Sequence, residues 1–332
     1  MSYTTIPNTD LVVSVISLGT GGAGATYDRP TAFAMLDAFF EQGGNFVDTA
    51  HIYNDWIPGE RSRSEKLLGA WMQERRNRSS VLLATKGAHP DLAQMQVGRL
   101  SPAEIQADLE ESLRFLQVET IDLYWLHRDD PTRPVEEIIA TLEAQVEAGK
   151  IRYFGCSNWR LDRIQAARHT AGHAAGQRAA GRGMPGFVGV QNLWSLAKPN
   201  LDVLWRRDAT LAVMDDDLWQ YHRQTGLAAI PYTSQANGLF QKMDTGGTAR
   251  LPADLARLYL SSETEGRYQR LKMLSQQTGL NTTQIGLGFL TSQPFATCPV
   301  IGPQSLAQLR DCLAAADVLL TPEQVSFLAP AA

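Results

Sequence analysis

The chain has 332 residues, 44% hydrophobic and 20% charged, with a formal net charge of −5. This is ordinary soluble globular composition, long enough for a large core in two average domains or in one α/β barrel with insertions. The scattered acidic excess offers no basic field to nucleic acid or an anionic membrane, and no apolar run is long enough to span a bilayer.

Met1 to Asp10 is polar and lacks the apolar core of a signal peptide. Cys156, Cys298 and Cys312 are odd in number and widely spaced, with no metal-site pattern. Cys156 and Cys298 lie in apolar runs, so buried free thiols and a reducing cytoplasm are expected.

Eight short apolar segments read as strands, at about 15–18, 45–48, 81–85, 121–126, 151–155, 187–191, 227–231 and 296–301. Leu11 to Ser17, after the polar start, is expected to form a small hairpin closing one end of the fold. Thr31 to Gln42 predicts a helix with Phe33, Leu36 and Phe40 on one face. Ser62 and Glu65 form a capping-box pattern opening a helix over Lys66 to Glu74. Ser101, Pro102 and Glu104 form a better one, followed by Ile105, Leu109, Leu113 and Leu116 on one face. Pro134 opens a helix from Val135 to Ala148, which Gly149 ends.

Alternating strands and helices imply a parallel sheet. Gly19, Gly21 and Gly24 follow the first strand and invite a dinucleotide-binding open sheet. The next helix begins only near Thr31, so that spacing is loose. Eight strands favour a closed (β/α)8 barrel in a single domain over 1–332. Three segments carry the extra length: 87–100, the Gly/Ala-rich 172–186, expected to be a mobile loop, and 233–262, a long loop of the kind that often serves as a lid, with closure over the cofactor left open.

Reactive side chains sit at successive strand ends. Val47 runs into Asp48, with Tyr53 five residues on; Thr85 into Lys86; Leu126 into His127. In a parallel barrel these ends form the rim that carries active sites. A phenol with a pKa of about 10 is a poor acid at neutral pH, and a nearby ammonium favours its ionised form. Asp48 is expected to hold Lys86, and His127 to donate to a substrate oxygen on which charge builds. Carbonyl reduction needs this plus a hydride, which no side chain supplies, so a nicotinamide cofactor is implied.

Asp48 to Tyr53, Thr85-Lys86 and Leu126-His127 together resemble the aldo-keto reductase family. The resemblance continues through Gly155 to Asn158, Val190 to Asn192, Ile230 to Ser234, and Ile301 to Ser305 with Gln308 and Leu309, covering about 10–316. It implies Tyr53 as general acid, tuned by Lys86 and Asp48, with His127 orienting the carbonyl. Ser157, Asn158 and Gln191 would hold the nicotinamide carboxamide and Tyr232 would stack on the ring. Gly19, Thr20 and Asp48 would line the cofactor. Backbone near Thr233, Ser234, Gly238 and Leu239 would meet the pyrophosphate, and Ile301, Gly302, Gln304, Gln308 and Cys312 the adenosine end. The family often carries a cation where Gln304 stands and Asn where Cys312 stands. NADP(H) is therefore expected from the family at large, with NAD(H) made possible by Gln304; Arg310 is a candidate to compensate.

Each residue also has a plainer reading. Asp48 alone is a strand-end cap, Lys86 a solvated lysine, His127 a core histidine, Tyr53 a packing residue. Ser157 and Asn158 also read as the cap of a helix starting near Trp159. Tyr27, Trp56 and Trp159 are the candidate pocket walls, suited to a sugar face or an aromatic carbonyl. His51 reads as packing, His89 as within reach of the pocket, and His169, His173 and His222 as surface. Arg128, Asp129 and Asp130 read as a salt-bridged turn. Asp215 to Asp217 read as a helix start, and no metal site is expected. The expected partner is a small carbonyl or alcohol, with no nucleic acid or membrane, and with monomer and homo-oligomer both open. Two other functions remain: a cofactor-binding regulatory subunit with little turnover, and a cofactor-free barrel lyase or isomerase.

Overall fold

The computed structural model describes residues 1–177 and 186–330. A hairpin, β1 (Tyr3–Thr5) paired antiparallel with β2 (Val12–Ser14), precedes a parallel sheet. That sheet contains β3 (Ser17–Gly19), β4 (Phe46–Asp48), β5 (Leu82–Gly87), β6 (Ile121–Leu126), β7 (Ile151–Ser157), β8 (Phe187–Gln191), β9 (Ala228–Ala229) and β10 (Val300–Ile301). Strand order is β10-β3-β4-β5-β6-β7-β8-β9. The Ala229 N–H donates to Ala296 O (2.9 Å), and the Cys298 N–H to Ala229 O (2.9 Å), which joins the last two strand segments and closes the ring. The fold is thus the (β/α)8 barrel, and every expected strand falls on an observed one.

Side-chain alternation along a strand explains the division of labour. Phe46, Ala84, Leu123 and Trp125 face inward and pack with Val188, Ile230 and Cys298. Ile6, Leu11 and Val13 of the hairpin region join the same cluster, plugging the end where the strands begin. Two residues further along each strand, the same inward face carries Asp48, Lys86 and His127. Outward residues such as Leu83 and Tyr124 meet Leu36, Trp71, Leu109, Ile138 and Leu142 of the surrounding helices. The barrel is filled to contact. A Cβ on Gly155 would lie 2.3 Å from the Trp125 ring and 2.6 Å from Gly189 O.

Helices Arg29–Glu41, Pro102–Leu116 and Val135–Glu147 stand where periodicity places them. Ser101 and Glu104 form the expected capping box, and Gly149 ends the last helix at φ +73°. Helix Arg63–Arg75 corrects the other capping-box expectation. Ser62 is left-handed and makes no cap bond; its hydroxyl donates to His51 O (2.7 Å) instead. Glu65 is fully buried and accepts from the Thr85 hydroxyl (2.6 Å).

The reading of 233–262 as one long loop is likewise corrected. It forms helices Leu239–Gly246 and Ala253–Tyr259 with short 3-10 turns. Ala236, Leu239, Phe240, Leu255 and Tyr259 pack there with Leu204, Leu271 and Phe289 as a second core. Of the Gly/Ala-rich stretch, helix Leu161–Gln177 takes the first part, and 178–185 lie outside the described residues. All three cysteines are buried and free. Among the described residues no helix is long and apolar enough to cross a membrane.

Candidate active site

Asp48, Lys86 and His127 converge inside the rim, and the turn after β4 brings Tyr53 to them. Lys86 Nζ donates to Asp48 Oδ2 (2.5 Å), Thr49 O (2.7 Å) and Tyr53 Oη (3.1 Å). All three ammonium protons are thereby used. Burial works against this charge, but the Asp48 carboxylate and the Tyr53 hydroxyl outweigh it, so Lys86 is held above the usual lysine value. Asp48 Oδ1 accepts from Gln191 Nε2 (2.9 Å), tying the pair across the barrel to the end of β8.

The turn carrying Tyr53 is pinned from several sides. The Asn54 backbone is left-handed at φ +74°, and its amide donates to Ala23 O in the loop after β3 (2.7 Å). Asp55 Oδ1 accepts from the Ser62 N–H (2.6 Å), and the His51 N–H donates to Lys86 O (2.9 Å). The His51 ring pairs with Glu111 at 3.0 Å.

The Tyr53 and His127 rings meet edge to face with centroids 5.9 Å apart. Burial, reinforced by His89, Arg128 and Lys86, drives His127 far below the ordinary histidine value, so it is neutral at pH 7. His89 does reach the site, with its ring 4.6 Å from that of His127.

Beside this group lie the side chains the sequence assigns to the cofactor. Ser157 Oγ donates to Gln191 O (2.7 Å). Asn158, left-handed at φ +60°, donates to His127 O (3.2 Å) and Ser157 Oγ (3.0 Å). Its Oδ1 accepts from the Tyr232 hydroxyl (2.7 Å) and the Ala212 N–H (3.2 Å). These bonds replace the helix-cap reading of Ser157 and Asn158. Among the described residues Gln191 Oε1 is buried with no partner, an acceptor that fits one N–H of a carboxamide.

Ser234 Oγ donates to Val300 O (2.7 Å), which joins Thr233 and Ser234 to β10. A cleft lined by Ser195, Leu196, Ser234, Gln235 and Phe240 runs beside them. Gly19 and Thr20 stand next to Asp48, whose O accepts the Thr20 N–H (2.9 Å). Gly238 is left-handed at φ +73°, and Leu239 offers only backbone, since its side chain is in the second core. Ile301 is buried, whereas Gly302, Gln304 and Gln308 are exposed. A Cβ on Gly302 would meet only open space. Gln308 Oε1 takes the Gln304 N–H (2.7 Å). Cys312 is buried and accepts from Gln235 Nε2 (3.0 Å), and its thiol is pushed up to about 11 by burial.

Of the candidate pocket walls, Tyr27 is half-buried and Trp56 stands 56% exposed. Trp159 is corrected. It is fully buried, its ring centroid 5.0 Å from that of Phe187, and Nε1 donates to Arg128 O (3.3 Å), so it is packing. His222 is corrected too: buried, bonded through Nδ1 to Leu227 O (2.7 Å) and stacked on Phe295. Arg128 and Asp129 are structural, paired with Asp208 (3.1 Å) and Arg163 (3.0 Å). Asp215 caps helix Asp216–Thr225.

Sequence reasoning placed Asn192 in a matching segment but gave it no role; its Oδ1 accepts the Asn158 N–H (2.7 Å). Adjacent amides at the end of β8 were the available signal for that role.

A parallel barrel with this rim is the architecture of an oxidoreductase of carbonyls, and comparison with known proteins agrees. The aldo/keto reductase family model matches residues 15–330, and the chain belongs to that family. An uncharacterized oxidoreductase of Bacillus subtilis, YrpG, is 30% identical over 99% of this chain and 95% of its own length. An aryl-alcohol dehydrogenase [NADP(+)] of Phanerodontia chrysosporium is 28% identical, covering 97% of this chain and 83% of that protein. The crystal structure of a thermostable aldo-keto reductase, Tm1743, in complex with the inhibitor epalrestat superposes with a TM-score of 0.69. Identity there is 21%, with 99% of this chain and 98% of that one covered.

Proposed function

We propose that this chain reduces an aldehyde or ketone to the alcohol, with Tyr53 as general acid and NADPH as the preferred reductant. The observation that carries the reading is Lys86 Nζ, buried and held between Asp48 Oδ2 (2.5 Å) and Tyr53 Oη (3.1 Å). An ammonium locked at that distance stabilises the negative charge that develops on the phenol oxygen as its proton leaves.

The hydride for the carbonyl carbon, with its two electrons, would come from a reduced nicotinamide bound in this site. Tyr53 passes its proton to the carbonyl oxygen, so the C=O becomes CH–OH and the phenolate is left facing Lys86. Neutral His127 donates a hydrogen bond to the same oxygen and fixes its direction. Gln191 and Ser157 would hold the nicotinamide carboxamide, with Asn158 braced between His127 O and Tyr232. In reverse, Tyr53 takes the proton of an alcohol.

The relative named as NADP(+)-linked supports NADPH. Gln304, exposed and uncharged where the family often carries a cation, leaves NADH open. The whole chain is taken as one barrel domain acting in the cytoplasm on a small molecule.

The test is a titration with NADPH and NADH followed by tryptophan fluorescence, then turnover on simple aldehydes by wild type and Tyr53→Phe. Binding of neither nicotinamide by folded protein, or unchanged hydride-transfer rates in Tyr53→Phe, would overturn the assignment.

A further inference from the structure

We propose that His89 is a specificity-determining residue that accepts a hydrogen bond from a hydroxyl beside the reacting carbonyl, so that the chain selects α-hydroxy aldehydes and α-hydroxy ketones. The inference rests on the reductase reading above and adds the substrate class to it.

His89 is delivered by a backbone bend that its surroundings enforce. Ala88, directly after β5, is left-handed at φ +57°, a conformation disfavoured for any residue with a Cβ. Its N–H is held by Asp108 Oδ2 (2.8 Å). Arg99 grips both Asp108 oxygens (2.9 and 3.1 Å) and donates to His89 O (2.9 Å). A strained turn fixed by a buried carboxylate and a clamped arginine aims one side chain, and the ring it aims ends 4.6 Å from that of His127 at 68°. His127 therefore meets both the Tyr53 ring and the His89 ring edge to face.

The protonation of His89 follows from its partner. Nδ1 lies 2.7 Å from Pro90 O, and a carbonyl oxygen only accepts, so the ring proton is on Nδ1. Burial, together with Arg128 and Arg99, pushes this imidazole down to about 4, so it is neutral at pH 7. Neutral and protonated on Nδ1, it presents Nε2 as a bare acceptor, with no partner among the described residues.

The reacting oxygen takes donors, from Tyr53 and His127. An acceptor beside them has no use for that oxygen. It needs a donor carried by the substrate close to the carbonyl, and a hydroxyl on the adjacent carbon supplies one. A substrate with only carbon there would cover the Nε2 lone pair without satisfying it.

The test compares pairs that differ only by hydroxyl against methyl: glycolaldehyde with propionaldehyde, and 3-hydroxy-2-butanone with 3-methyl-2-butanone. Each is assayed with NADPH and with NADH. Wild type is expected to favour the hydroxy member of each pair by about 10- to 100-fold in kcat/KM. His89→Phe keeps a ring but no acceptor and brings the ratio to about threefold or less. His89→Gln, with an amide oxygen in reach of the same position, restores part of it. Nitrogen-15 chemical shifts are expected to place the His89 proton on Nδ1, independently of whether either variant folds. A wild-type ratio near one, a preference that survives in folded His89→Phe, or a proton on Nε2 overturns the proposal while leaving the reductase reading intact. No turnover of any of these carbonyls with either nicotinamide sinks the reductase reading, and this proposal with it.

Discussion

Replacing Asp48 by Asn removes the charge that keeps Lys86 ionised inside the barrel. Both side chains are only 2% exposed. Unpairing a buried ion pair by removing one partner costs about 3–5 kcal/mol. The Asn carbonyl can keep one hydrogen bond to Nζ, worth about 1 kcal/mol. Its amide then faces Gln191 Nε2, which now donates to Asp48 Oδ1 at 2.9 Å, so Gln191 must flip or lose that bond. The expected loss is about 2–4 kcal/mol of unfolding free energy at pH 7, read from the urea midpoint at constant m-value. With Asp48 gone, burial acts on Lys86 unopposed and favours the neutral amine, so the Tyr53 oxygen loses its cation. Single-turnover hydride transfer should fall by about 100- to 1000-fold. In wild type the folded-state value of Lys86 is raised, so the pair's stabilisation is complete below the unfolded lysine value of 10.5 and is lost as pH rises through the higher folded one. Wild-type stability from the pair should therefore be flat from about pH 6 to 9, whereas Asp48→Asn, its Lys86 depressed, gains stability as pH rises toward the unfolded lysine value, so the gap between them should narrow steadily up to about 10.5. A loss under about 1 kcal/mol with transfer slowed less than about threefold would refute the coupling of Asp48, Lys86 and Tyr53.

Tyr53→Phe should cut turnover by at least about 100-fold while the NADPH fluorescence titration stays near wild type, separating proton delivery from cofactor binding. Glu65, fully buried, is raised from 4.5 to about 7, first by burial and against the pull of His51 and Thr85. Its contribution to stability is complete below the unfolded value and lost as pH rises through about 7. Glu65→Gln should thus match wild type near pH 4 and exceed it by about 3 kcal/mol near pH 8, and equal stabilities at both pH values in denaturant melts would contradict that. Gly155→Ala should destabilise by about 1–3 kcal/mol, because a Cβ would lie 2.3 Å from Trp125 and 2.6 Å from Gly189 O; an unchanged thermal midpoint would mean the barrel interior yields more easily than its packing implies.

The strand ends at Asp48, Lys86 and His127 were legible because alternation along short strands is a local property. Once the runs ending there are recognised, their inward faces follow. The capping box at Ser101 was legible for the same reason, since cap and partner are neighbours in sequence. Ser62 and Glu65 show the same letters failing. Thr85, on a different strand, captures the Glu65 carboxylate, and His51 O captures the Ser62 hydroxyl. Trp159 and His222 were misplaced because a side chain's exposure depends on what packs over it, and Phe187 and Phe295 come from distant segments. The apolar spacing of 233–262 was too irregular to mark its short helices, which the second core holds in place.

The sequence by itself determined the barrel, the family and the candidates for proton handling. Each of these rests on patterns of a few neighbours repeated in order along the chain. Only the tertiary structure decided how those residues are charged and aimed. The ionisation of Lys86 depends on an aspartate from another strand, the neutrality of His127 on complete burial among cations, and the bare nitrogen of His89 on a turn clamped by Arg99 and Asp108. Burial, Coulomb attraction and hydrogen bonding act through space, so they come into being only when separate strands close into one ring.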